Sequence, residues 1–193
     1  MSSASEGSSA QPPVVIIPGW RDSGPTHWQS IWLRDNPHFV KLEQSDWEHP
    51  GVEEWCRALD RAIADCPTPP VLVAHSLGCA LVAHWSVTRG AESAGTMVHA
   101  AMLVGPADAD SPDHTPEQLR PFAPIPLNPL GFHSIVVTSR SDPYVTFARA
   151  IEMARSWGSE LVDAGDLGHI NVDSGHGPWP LGESLLGRLL ELP

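Results

Sequence analysis

Cysteine is scarce in this chain of 193 residues, with three in all. Cys56, Cys66 and Cys79 are too few and too scattered for a disulfide framework, and no CxxC pair points to zinc or to thiol exchange. They are expected as reduced thiols in the core of a cytoplasmic protein. Positive charge is scarce as well: 11 Lys and Arg stand against 23 Asp and Glu, a formal net charge of −12 at pH 7. Such a field repels phosphate backbones and anionic membrane surfaces, so neither nucleic acid nor membrane is an expected partner, while neutral or cationic small molecules are unopposed. No apolar run approaches the roughly 20 residues that span a bilayer. The opening MSSASEGSSAQPP lacks a basic segment followed by an apolar one, so it reads as neither signal peptide nor membrane anchor. HExxH, P-loop and GxGxxG patterns are also missing, and no metal or organic cofactor is expected.

What is present is an ordinary globular composition, 41% hydrophobic and 18% charged. Residues 1–12, rich in Ser and Ala, read as a disordered leader, and 13–193 as a single domain of a size that supports one core. Short apolar runs of strand length at 14–17, 71–73, 100–104 and 135–138 alternate with longer segments of helical period. With weaker edge candidates at 39–42 and 160–162, the pattern predicts an α/β fold: a mostly parallel sheet of about six strands with helices on both faces. Val52, Trp55, Cys56, Leu59 and Ile63 mark one amphipathic helix, and others are expected over 26–34, 77–89, 146–157 and 181–190. Trp28, Trp55, Trp85 and Trp157 are expected in the core. Seven prolines between 106 and 129 block regular helix and central strand, so that stretch reads as a long loop. It either roofs a site at the strand ends or is merely a stiff connection.

The strongest local feature is VLVAHSLGCA, an apolar strand running through Ser76 directly into a helix. It matches the G-x-S-x-G nucleophile elbow, with Ala74 in the first glycine position and Gly78 in the second. The competing reading is that Ser76 only caps the helix starting at Leu77. A serine hydroxyl needs a histidine to accept its proton and a carboxylate to orient that histidine. Of ten histidines, the chain order serine, acid, histidine of α/β-hydrolases removes His27, His38, His49 and His75 as bases. Asp142 in SRSDPYV follows the strand ending at Thr138, and His169 in GDLGHIN follows the last strand candidate. Each also has a plainer reading, Asp142 as a helix cap and His169 as a turn histidine. Asp108 or Asp110 as the acid and His176 as the base are the rival assignments, and Asp166 reads as a turn residue. Oxyanion donors are expected from the Leu77 amide at a helix N-terminus and the Trp20 amide beside Gly19, with the Trp20 indole a candidate pocket wall.

PGW followed by GPTHWQSIW, QSDWEHP, AHSLG, SRSDPY, and GHIN followed by SGHGPWPLG together resemble the small serine hydrolase family that includes retinoblastoma-binding protein nine and many bacterial relatives. The likeness covers nearly everything after the leader. It implies a compact α/β-hydrolase without a cap domain, with Ser76, Asp142 and His169 in the family's catalytic positions. Two departures are Ala74 for glycine, similar to bacterial members, and His176 in a place where an apolar residue is expected. The activity implied is cleavage of an ester or related acyl bond of a small molecule through an acyl-enzyme. A protein-binding module with a vestigial triad and an acyltransferase are the alternatives.

Overall fold

Val14–Ile17 (VVII), Val71–His75 (VLVAH), Ala100–Val104 (AAMLV) and His133–Thr138 (HSIVVT) are apolar at nearly every position, a composition that requires cover on both faces. In the computed structural model, which describes residues 11–193, they form β1, β3, β4 and β5 of one six-stranded sheet. Phe39–Lys41 and Glu160–Asp163 are β2 and β6, the more exposed edges. The order is β2-β1-β3-β4-β5-β6, and every pairing is parallel. Of the leader expected over 1–12, residues 1–10 lie outside the described residues, and Gln11 and Pro12 carry no regular structure.

Successive strand side chains point to opposite faces, which divides the core in two. Val15, Ile17, Leu72, Ala74, Leu103 and Val136 face α2 (Val52–Ala64), α3 (Leu77–Arg89) and α5 (Phe147–Trp157), where Trp55, Trp85 and Trp157 are buried. Val14, Ile16, Val71, Val73, Met102, Val104, Ile135 and Val137 face α1 (Trp28–Asp35) and α6 (Pro180–Leu190), with Trp28 between them. Helices thus cover both faces, and the four tryptophans pack as expected. No helix among the described residues is long and apolar enough to cross a membrane.

Two elements depart from the sequence reading. The proline-rich 106–129 segment contains a 3₁₀ helix, Glu117–Phe122, with Pro121 inside it; a helix this short has few backbone bonds for proline to break. The segment starts at the carboxyl end of β4 and then leaves it to cover α2 and α3. Phe122 packs edge-on to Trp55, His84 Nε2 donates to the Phe122 carbonyl (2.9 Å), and Ser86 Oγ donates to that of Leu130 (2.7 Å). The Arg120 guanidinium donates to the carbonyls of Ala109, Ser111 and Thr115 and so satisfies backbone that has no ladder. The second departure is α4 (Ala91–Met97), which buries only Ala94 and therefore shows no hydrophobic stripe.

β1 lies between β2 and β3, so the chain leaves its carboxyl end in one direction for β2 while the rest of the sheet grows the other way. In open α/β sheets ligands bind outside the carboxyl ends of the strands at such a reversal. Ser76 follows β3 directly, at that end of the sheet.

Candidate active site

β3 passes into α3 with only Ser76 between them, and the turn is forced: Ser76 has φ 56° and ψ −122°, a region that L-residues rarely occupy. The turn is tight enough to exclude side chains nearby. A Cβ on Gly78 would lie 2.8 Å from the Ile17 carbonyl oxygen, and one on Gly19 would lie 2.8 Å from Ser76 Cβ. Ala74, by contrast, sits within β3 opposite Ile17 and Leu103, where its methyl fits the buried sheet face. Although Ser76 occupies the cap position of α3, its side chain makes no capping bond. Its Oγ lies instead 3.0 Å from His169 Nε2.

His169 Nδ1 lies 3.0 and 2.9 Å from the two oxygens of Asp142, and both side chains are buried. With Nδ1–H donated to the carboxylate, Nε2 presents a lone pair to the Ser76 hydroxyl. The two loops that carry the pair are stitched together. Ser139 Oγ accepts from the Leu167 amide (2.9 Å), Ser141 Oγ from that of Gly168 (3.0 Å), and the Arg140 amide donates to the Gly165 carbonyl (2.8 Å). Asp142 does not cap α5; Thr146 does, accepting from the Arg149 amide, while Asp142 Oδ1 accepts from that of Tyr144 (2.9 Å).

One residue absent from the sequence reading completes this wall. Gly105, at φ 54° just past β4, lies so close that a Cβ there would stand 3.2 Å from Asp142 Oδ2 and 3.4 Å from His169 Nδ1. Its signal in the sequence was a glycine ending an apolar run, Val104-Gly105-Pro106.

The Leu77 amide opens α3 and so has no intrahelical partner. The backbone at Gly19 passes beside it, since a Cβ on Gly19 would lie 3.2 Å from Leu77 N. Among the described residues, neither the Leu77 nor the Trp20 amide donates to a loop carbonyl. The Trp20 indole turns toward the loop after β2, donating to the Glu48 carbonyl (3.0 Å) with the Arg21 guanidinium over its ring.

The rival residues are engaged elsewhere. Arg149 takes the carboxylates of both Asp108 and Asp110, and Asp110 also accepts from the Ile125 amide (3.1 Å). Asp166 is exposed at a bend, and His176 is half-buried with no hydrogen bond to Ser76 or His169. Among the described residues, no three His, Cys, Asp or Glu side chains converge to hold a metal ion.

A family model described as serine hydrolase matches residues 14–188. The chain belongs to this serine hydrolase family. It is similar to a protein of Pectobacterium atrosepticum described as a YdeN-like hydrolase, with 35% identity across 94% of this chain and 91% of that one and a TM-score of 0.80. The ydeN gene product of B. subtilis shares 20% identity across 94% of this chain and all (100%) of that one, with a TM-score of 0.73. Mouse alpha/beta hydrolase domain-containing protein 10 shares 14% identity across 91% and 90%, with a TM-score of 0.62. The latter two establish the fold alone: this is a serine hydrolase on an α/β-hydrolase fold. No curated protein matches the chain by sequence.

Two further histidines of this serine hydrolase are buried behind His169. His75 is pushed well below the usual histidine range, first by burial and then by the nearness of His169 and His27. His27 caps α1 by accepting the Gln29 amide at Nδ1 (3.2 Å), a role that needs the neutral ring. Its pKa falls from 6.5 to about 4, chiefly through burial, with His169 adding to the effect and Asp22 opposing it. Burial also raises the Cys79 thiol beneath the elbow, which leaves it inert as a nucleophile.

The His27 shift makes the fold acid-sensitive. Between pH 6.5 and about 4 the unfolded chain binds a proton that the native His27 refuses, so stability falls as pH drops through that window, and the His27 share of the loss is complete below it. The expected loss from His27 is about 3 kcal/mol, and His75 adds to it. Urea unfolding at pH 7, 5.5 and 4 measures this. His27→Asn, which keeps a capping oxygen, should flatten the decline, and an equally steep decline in that variant would refute the assignment.

Proposed function

We propose that Ser76 is the nucleophile, His169 the base and Asp142 the orienting acid of a hydrolase that cleaves an ester or related acyl bond of a small molecule. The observation that carries this reading is the unbroken relay from the strained Ser76 Oγ through His169 Nε2 and Nδ1 to the buried Asp142 carboxylate. In the reaction Oγ attacks the acyl carbon as Nε2 takes its proton. The leaving group departs with that proton, and water, activated by the same nitrogen, releases the acid from the acyl-enzyme. The Leu77 and Trp20 amides hold the oxyanion. Residues 13–193 act as one catalytic unit, and the three free cysteines fit a cytoplasmic protein.

Fluorophosphonate labelling and p-nitrophenyl acetate turnover, compared between the wild type and Ser76→Ala, test the assignment. The wild type should be labelled on Ser76 and turn over the ester, and the variant should do neither. Equal labelling of the variant would remove Ser76 as nucleophile; a folded wild type that neither labels nor turns over would favour the binding-module reading.

A further inference from the structure

The turn presenting His169 is held on its N-terminal side by the serines of the acid loop, but its C-terminal side lies beyond the edge strand β6, with no ladder to fix it. It is also strained: Ile170, directly after His169, has φ 49°, which a β-branched residue adopts only where its surroundings impose it. Besides the turn's own bond from the Ile170 amide to the Leu167 carbonyl (3.3 Å), two buried side chains hold it from other elements. His75 Nε2, at the last residue of β3, donates to the His169 carbonyl at 2.9 Å. Trp28 Nε1, at the first residue of α1, donates to the Ile170 carbonyl at 2.9 Å. Among the described residues, no backbone amide outside the regular elements donates to either carbonyl. The two donors brace each other, with their rings edge-on at 5.9 Å, and each has a second aromatic support: Trp179 lies 5.0 Å from Trp28 and His27 4.9 Å from His75.

We propose that His75 and Trp28 are positioning residues that clamp two successive carbonyls and thereby fix Nε2 of His169 against Ser76. The inference rests on the reading of Ser76 and His169 as nucleophile and base. His75 adjoins Ser76 in the chain, so one residue ties the nucleophile's strand to the base's turn. Trp28 holds the same turn from α1. Without the clamp the ring swings away from Oγ while the elbow and its amides stay in place, so the loss falls on turnover and spares binding.

The test compares Trp28→Phe, which removes only the indole donor and its ring, with His75→Met, which removes a donor, and His75→Gln, whose Nε2 reaches the same place. Trp28→Phe and His75→Met are expected to lower kcat for p-nitrophenyl acetate about 10- to 100-fold. KM should stay within about threefold, and fluorophosphonate labelling should slow in step. His75→Gln should recover most of the rate. Wild-type kcat in folded Trp28→Phe, or His75→Gln as impaired as His75→Met, would overturn the clamp; should His75→Met fail to fold, Trp28→Phe decides alone. Ser76→Ala measured alongside separates the two layers: turnover persisting in it sinks the nucleophile reading, whereas a silent Ser76→Ala beside wild-type rates in the clamp variants sinks only the clamp.

Discussion

Asp142→Asn is expected to lower kcat for p-nitrophenyl acetate by about 10⁴ while leaving the fold and KM nearly unchanged. The reason lies in how the carboxylate is held. Oδ1 accepts from the Tyr144 amide at 2.9 Å, and in the variant that amide keeps the carboxamide oxygen in the same place. The new NH₂ must then occupy the site of Oδ2, 2.9 Å from His169 Nδ1. Oδ1 also lies 3.0 Å from Nδ1 but is already taken by the Tyr144 amide, so the nearer NH₂ group favours the tautomer with its proton on Nε2, and that nitrogen can no longer accept the proton of Ser76. Steady-state kinetics and the thermal midpoint together measure this. Asp110→Asn is the control: its carboxylate serves Arg149 and the Ile125 amide, and it should retain near-wild-type kcat. A loss below tenfold in Asp142→Asn, or a large one in Asp110→Asn, would move the acid to the loop after β4.

These expectations draw on parts of the molecule that differ in how far the sequence exposed them. The central strands were legible because strands covered on both faces must be apolar throughout, and VVII, VLVAH and AAMLV have no other economical reading. Ser76 was legible because an elbow needs small residues at fixed offsets. α4 was not, since AESAGTM buries one alanine and offers no periodic stripe. Nor was the 3₁₀ helix, whose proline content points toward loop while its stability comes from Phe122 and Leu119 docking on helices distant in sequence. The histidines show the limit best. Chain order set aside His27 and His75 as bases, but it could not reveal that both are buried beside His169, because that depends on α1 and β3 meeting at the strand ends. Gly105 illustrates the same limit: a glycine after a strand is common, and only the fold brings it against the Asp142 and His169 pair.

Gly19→Ala is expected to lower kcat by about 10² to 10³, comparable to deleting one oxyanion donor. The added methyl would lie 2.8 Å from Ser76 Cβ, 3.0 Å from the His75 carbonyl and 3.2 Å from Leu77 N. None of these can give way readily. All belong to the junction of β3 and α3, and β3 is an interior strand paired on both sides. The strain therefore falls on the loop after β1. That loop is pinned by the Asp22 amide on the Gly19 carbonyl, the Arg21 amide on that of Trp47 and the Trp20 indole on that of Glu48. Arg21 and Asp22 are already in the left-handed region at φ 64° and 63°, so little slack remains to absorb a further shift. What moves is the segment carrying the Trp20 amide, away from the oxygen it is proposed to hold. Fluorophosphonate labelling should slow along with ester turnover, because the phosphonyl oxygen uses the same donors. Gly24→Ala, in the same loop but with nothing within 4 Å of its added methyl, should keep wild-type rates. If Gly19→Ala folds and retains kcat within about threefold of Gly24→Ala, the Trp20 amide contributes no oxyanion stabilisation, and the second donor must be sought elsewhere around the elbow.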